Sequence, residues 1–282
     1  MKATRNTAVK TLAGVALCAV FATSAAAEGL TSESVAKKLE LLHQKEVLLN
    51  RIVKSVCFID AGIEVERNKE AVYQARDEFE RSLAEIKAEI AALDQSLSAV
   101  RSLSKNFEKK NEQWFKFRVY LDREMKDHSP ESSVLGQIAL LETGIEKAVE
   151  RTFKFLEKEA ARRGDITLGD MIQENQSFER VIVAEKMVKE ACMVAMKQGG
   201  AEERAVLAEA IMHFENELTV EEGSALTPPK VKAMVPRWRD MLPRVRLLSE
   251  GSEPDENLLQ DLDALKHEWF EVSGVILLPR ST

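Results

Sequence analysis

The sequence has little of what β-structure is built from. It holds 2 tyrosines, 7 prolines and 12 glycines in 282 residues, and its bulk of Ala, Leu, Glu and Lys favours helices over strands and hairpins. It also lacks a glycine-rich phosphate loop and a CxxC pair, which removes the motif-level case for nucleotide or dithiol chemistry. The four histidines, His43, His128, His213 and His267, stand at no zinc spacing. Glu40 and His43 have the ExxH spacing of di-iron bundles, which require a second such pair. Ala210 occupies the position before His213 where its glutamate would have to be, so no metal or other cofactor is expected. With no catalytic constellation in view, an enzyme is not expected either.

Long apolar runs are scarce as well. The one at 11–23 follows Lys2, Arg5 and Lys10 and precedes Ala25-Ala26-Ala27, the pattern of a secretory signal peptide cleaved after Ala27. An uncleaved anchor would need a longer run. A lipoprotein would need a small residue where Leu17 precedes Cys18, and there is no twin-arginine pair. Residues 1–27 are therefore expected to be removed, and the rest to be soluble in the periplasm. Losing three positive and no negative charges moves the formal charge from −7 to −10. That balance argues against nucleic acid as a partner.

What is present is helical periodicity. Apolar residues at Val35, Leu39, Leu42, Leu49, Ile52, Val53 and Val56 make the stripe of a helix packed on one side and ending near Gly62. Phe79, Leu83, Ile86, Ile90, Leu93, Leu97 and Val100 alternate steps of four and three, a coiled-coil-like seam on one second helix. A third pattern includes Phe107, Trp114, Phe117 and Leu121, and a fourth runs from Leu135 to Phe155. The pattern resumes at Leu168, breaks at Gly199-Gly200, and continues through Leu207 to Leu218. Thr227 before Pro228-Pro229 reads as the cap of a helix carrying Trp238, and a last helix carries Leu258 to Trp269. The fold class is all-α, about eight helices in antiparallel, four-helix-bundle-like units. The three tryptophans fall in apolar patterns and are expected in the core.

Sliding the chain on itself by 135 residues lays Asn50 to Cys57 on Glu185 to Cys192, Phe79 on Phe214 and Leu83 on Leu218 without a gap. Trp114 then answers loosely to Trp238. Coincidence of Lys, Cys, Phe and Leu at one offset predicts a tandem repeat, with boundaries at 28–165 and 166–282. Cys57 and Cys192 are the cysteines left after cleavage; both a disulfide and two buried thiols suit them.

The two copies read LHQKEVLLNRIVKSVCFIDAG and SFERVIVAEKMVKEACMVAMKQGG, each followed by the Phe and the Leu four residues later. They resemble the PilJ-like periplasmic sensing domain of type IV pilus methyl-accepting chemotaxis transducers, related to the nitrate-sensing region of NarX-type kinases, over 38–125 and 173–249. The resemblance implies a sensory bundle that recognises small anions through arginines of the first-helix motif. Here the two early motif arginines fall on Gln44 and Glu46, and on Glu179 and Val181. The later basic position persists as Arg51 and Lys186, with Lys54 and Lys189 one turn on. These four are the candidate ligand-binding residues, and an ion-paired helix surface is the competing reading. The expected partners are a small molecule or small anion, a membrane receptor or envelope protein, or a second copy in a homodimer. The alternative function is a scaffold that works through helix–helix contacts.

Overall fold

A computed structural model describes residues 32–92, 96, 98–127, 138, 141, 168–196, 200–255 and 257–273. The expected leader and the expected helix from Leu135 to Phe155 lie outside them, Ile138 and Leu141 excepted. Every regular element among the described residues is helical, so the chain is all-α. The elements are α1 (Ser32–Asp60), α2 (Val65–Ala92), α3 (Ser98–Asp127), α4 (Leu168–Ala195), α5 (Ala201–Gly223), α6 (Pro229–Ser249) and α7 (Leu258–Ser273).

Gly62 stops α1 by taking φ +71, a left-handed conformation open to a residue without Cβ. The side-chain amide of Asn68 then donates to the carbonyl of Ile63 at 2.9 Å, which satisfies a backbone group in the turn into α2. α2 and α3 run antiparallel, as do α5 and α6. Arg76 meets Asp122 while Arg118 meets Glu80, both at 3.2 Å, between α2 and α3. Arg246 meets Glu215 and Arg239 meets Glu222 between α5 and α6.

Two sequence expectations need correction here. The seam from Phe79 to Val100 is split between α2 and α3, with Ser96 in a turn between them. Leu93 and Leu97 carry the apolar rhythm across the break, so periodicity could not see it. The cap of α6 is Pro228, with no side-chain cap bond, and Thr227 is buried just before it.

The largest departure concerns α1, which is no one-sided helix. Residues 52–58 are all buried, and so are 187–193 on α4. The reason is that α1 packs on both α2 and α4, while α4 packs on α1, α5 and α7. α1 and α4 lie parallel and in register: Cys57 is bonded to Cys192, Arg51 lies beside Glu185, and Val47 packs with Val181 and Ile182. The bridged cysteines are 135 residues apart, the same step that superposes the two sequence copies. An in-register contact between equivalent residues places a near-two-fold axis along the helix pair.

The step recurs outside the pair. Phe79 meets Trp114 at a tilt of 30° with centroids 4.1 Å apart, and Phe214 meets Trp238 edge-on at 4.6 Å. Glu80 and Glu215, the residues after those phenylalanines, each bridge to an arginine of the following helix. Around these contacts one continuous core runs from Leu48 to Trp269.

Replacing Cys57 by Ser should lower stability by roughly 2–5 kcal/mol, since the bond closes a long loop in the unfolded chain. Urea unfolding of the oxidised protein and the variant measures it; equal midpoints would contradict the pairing.

Candidate functional site

The stretches of α1 and α4 buried all round have no room for uncompensated charge, yet they carry several charged groups. On α1, Lys54 is buried and its ammonium donates to Asp263 Oδ1 at 3.0 Å. On α4, Glu185 is fully buried; its Oε2 lies 3.1 Å from Lys266 Nζ and its Oε1 3.7 Å from Arg51 Nε. Lys266 also meets Asp263 Oδ1 at 2.8 Å, so that one oxygen bridges two ammonium groups. The network joins α1, α4 and α7, and its three cations outnumber its two carboxylates.

That imbalance appears in proton affinities. Burial alone would raise the carboxyl groups of Glu185 and Asp263, but Lys266 and Lys54 beside them hold both below the usual range. Burial would lower Lys266, and the two carboxylates reverse this and raise it. Lys54 takes the remainder: burial and the neighbouring charge of Lys266 push it down to about 8. Aromatic faces help to hold the cations, with Lys54 5.0 Å from the Phe58 centroid, and Arg51 and Lys266 5.6 and 5.5 Å from Phe270.

Arg51 and Lys54 are thus both held by carboxylates of the chain itself. Lys189 is buried and pairs with Glu190 at 3.0 Å. Lys186 differs from the other three. It is half-buried in the wall of a cleft of about 150 Å³ between α1, α4 and α5, lined also by Glu46, Glu209, His213, Ile182 and Val206. No carboxylate among the described residues pairs with Lys186, and Glu209 faces His213 at 3.9 Å. The structure therefore places the four sequence candidates in two environments, internal ion pairs for Arg51, Lys54 and Lys189 and an open cleft for Lys186.

No match is found for this chain among protein-family models, curated proteins or solved structures. The geometry has to be read on its own terms.

Sequence reasoning missed Glu185, Asp263 and Lys266. A signal was there: Lys266 stands in the apolar stripe of α7 that includes Leu258, Leu262 and Trp269, a position where a charge needs a buried partner. Glu46, Glu209 and His213 gave no such signal, because a cleft between helices depends on their packing. Arg180 also proves buried, paired with Glu221, and its carbonyl accepts from Trp269 Nε1 at 3.3 Å.

Glu185→Gln should cost roughly 3 kcal/mol, the scale of breaking a buried pair, because it strands a positive charge in the interior. Glu185→Leu combined with Lys266→Met should recover part of that loss; chemical denaturation compares the three proteins. A second expectation concerns pH. Burial pushes the His43 imidazole down to about 4, so between about 6.5 and 4 the unfolded chain binds the extra proton. Stability should fall as pH drops through that window, by at most roughly 3 kcal/mol. The slope should flatten in His43→Gln, measured by urea unfolding at pH 7, 5.5 and 4.5.

Proposed function

We propose that the protein is a non-catalytic periplasmic binding module, a sensory helical bundle that takes a small ligand in the cleft beside Lys186. The observation that carries this reading is a half-buried ammonium without a carboxylate partner among the described residues, on the wall of a cavity and at the position where the resemblance keeps its basic residue. A cation left in such a place is available to a ligand, whereas Arg51, Lys54 and Lys189 are committed to the chain's own acids. The buried Cys57–Cys192 bond supports an exported protein, since such bonds persist in oxidising compartments. The PilJ-like resemblance supports sensing in the same compartment.

A second reading, an interaction scaffold, draws on Phe115 and Val119. They lie one turn apart on α3 and are 60% and 53% exposed, in a helix whose other apolar residues are mostly buried. Such a face suits a partner helix.

Thermal unfolding of the purified mature protein against small anions, amino acids, aromatic acids and aromatic amines separates the two. A ligand present at about 100 times its dissociation constant adds roughly 2.7 kcal/mol, a rise of several degrees. The rise is expected to vanish in Lys186→Met. A flat response across the panel would contradict the binding reading and direct the search to α3.

A further inference from the structure

Among the described residues, Lys186 is the charged side chain of the cleft that the chain itself leaves unanswered. Glu46 takes part in an interaction of its own, and Glu209 faces His213 at 3.9 Å along α5. Neither acid forms an ion pair with Lys186. The 135-residue step shows why no other acid does so from α1. Lys186 answers to Arg51, which lies 3.7 Å from Glu185, but the residue that answers to Glu185 is Asn50, an amide without charge. The difference that gives Arg51 a counter-ion leaves Lys186 without one at that position.

The surroundings of the ammonium are aliphatic. Ile182 and Lys186 stand one turn apart on α4, and Val206 and Ala210 stand one turn apart on α5. With Val183 they give the cleft an apolar floor in which Ile182 and Ala210 are buried. Glu209 and His213 are mostly exposed, so water screens the Glu209 carboxylate at the mouth, whereas Lys186 is half-buried. An anion that reaches Lys186 forms a charge-assisted hydrogen bond, and one that also covers the floor removes apolar surface from water. The cleft of about 150 Å³ takes a body about the size of benzene. A bare oxyanion would leave that floor wet, and it would meet a point charge instead of the planar fork of a guanidinium. A second carboxylate on the ligand would find no other lysine or arginine among the lining residues.

We propose that the Lys186 cleft binds a monocarboxylate with a compact apolar body: the carboxylate accepts from the Lys186 ammonium, and the body covers Ile182, Val183, Val206 and Ala210. The assignment rests on the binding reading above and narrows it to a chemical class.

Calorimetry on the purified mature protein tests it with benzoate, cyclohexanecarboxylate, acetate, nitrate and benzylamine as probes. Benzoate and cyclohexanecarboxylate should bind with a stoichiometry of one. Acetate and nitrate, which lack the body, should bind at least about tenfold more weakly. Benzylamine has the body and the opposite charge, and it should give no heat. Lys186→Met should abolish the benzoate heat, Lys186→Arg should keep part of it, and Lys230→Met, at an exposed position of α6, should leave it unchanged. Ala210→Leu fills the floor and keeps the ammonium, so it should weaken benzoate and leave acetate as it was; circular dichroism checks that each variant retains its helicity. Benzoate bound equally by Lys186→Met would overturn the site. Nitrate or benzylamine bound in a Lys186-dependent way, without benzoate, would overturn the monocarboxylate assignment and leave the binding reading standing. Silence from all five probes and from the wider panel would overturn both.

Discussion

The parallel pairing of α1 with α4, closed by the bond between Cys57 and Cys192, is the constraint on which the rest of the molecule depends. Two similar helices laid side by side in the same direction bring like residues to like positions. Cysteine tolerates this because two thiols can bond, and valine or isoleucine tolerates it because apolar groups pack on their own kind. Charge does not. A strictly symmetric pair would bury lysine and arginine on both helices with nothing to neutralise them, at a desolvation cost that no coil-like packing offsets.

The two helices differ where that problem is sharpest. Asn50 on α1 answers to Glu185 on α4, and this acid, with Asp263 of α7, takes in Arg51, Lys54 and Lys266. On α4 the counterpart lysine, Lys189, pairs with its neighbour Glu190. Helix α7 thus does two things at once. It supplies the counter-charges that let α1 and α4 stay buried together, and it drops Phe270 into the groove beside Arg51. The related groove beside Lys186 has no such plug from the described residues, and it remains a cleft. Asymmetry within a near-symmetric frame is what separates a filled face from an open one.

Much of the frame could be read from the sequence. Helical periodicity located α1, α3, α5 and α7, and one offset of 135 residues aligned Cys57 with Cys192 and Phe79 with Phe214, while leaving open whether the cysteines bond. Those features are local or repeat at a fixed step. The break between α2 and α3 was not readable, because apolar Leu93 and Leu97 continue the rhythm through it. Whether Arg51 faced water or acid was not readable either. Its partner Glu185 is distant in sequence, and only parallel packing brings the two together. The cleft beside Lys186 depends on three helices meeting, so neither its volume nor its acids could be inferred from any one of them.

The fold stands on parallel, in-register packing of α1 and α4, and the direct measurement is mass-spectrometric mapping of disulfides in a non-reduced digest of the purified protein. A single intramolecular species joining the peptide with Cys57 to the peptide with Cys192 is the predicted result. Two freely alkylated cysteines, or a bond between separate chains, would contradict it.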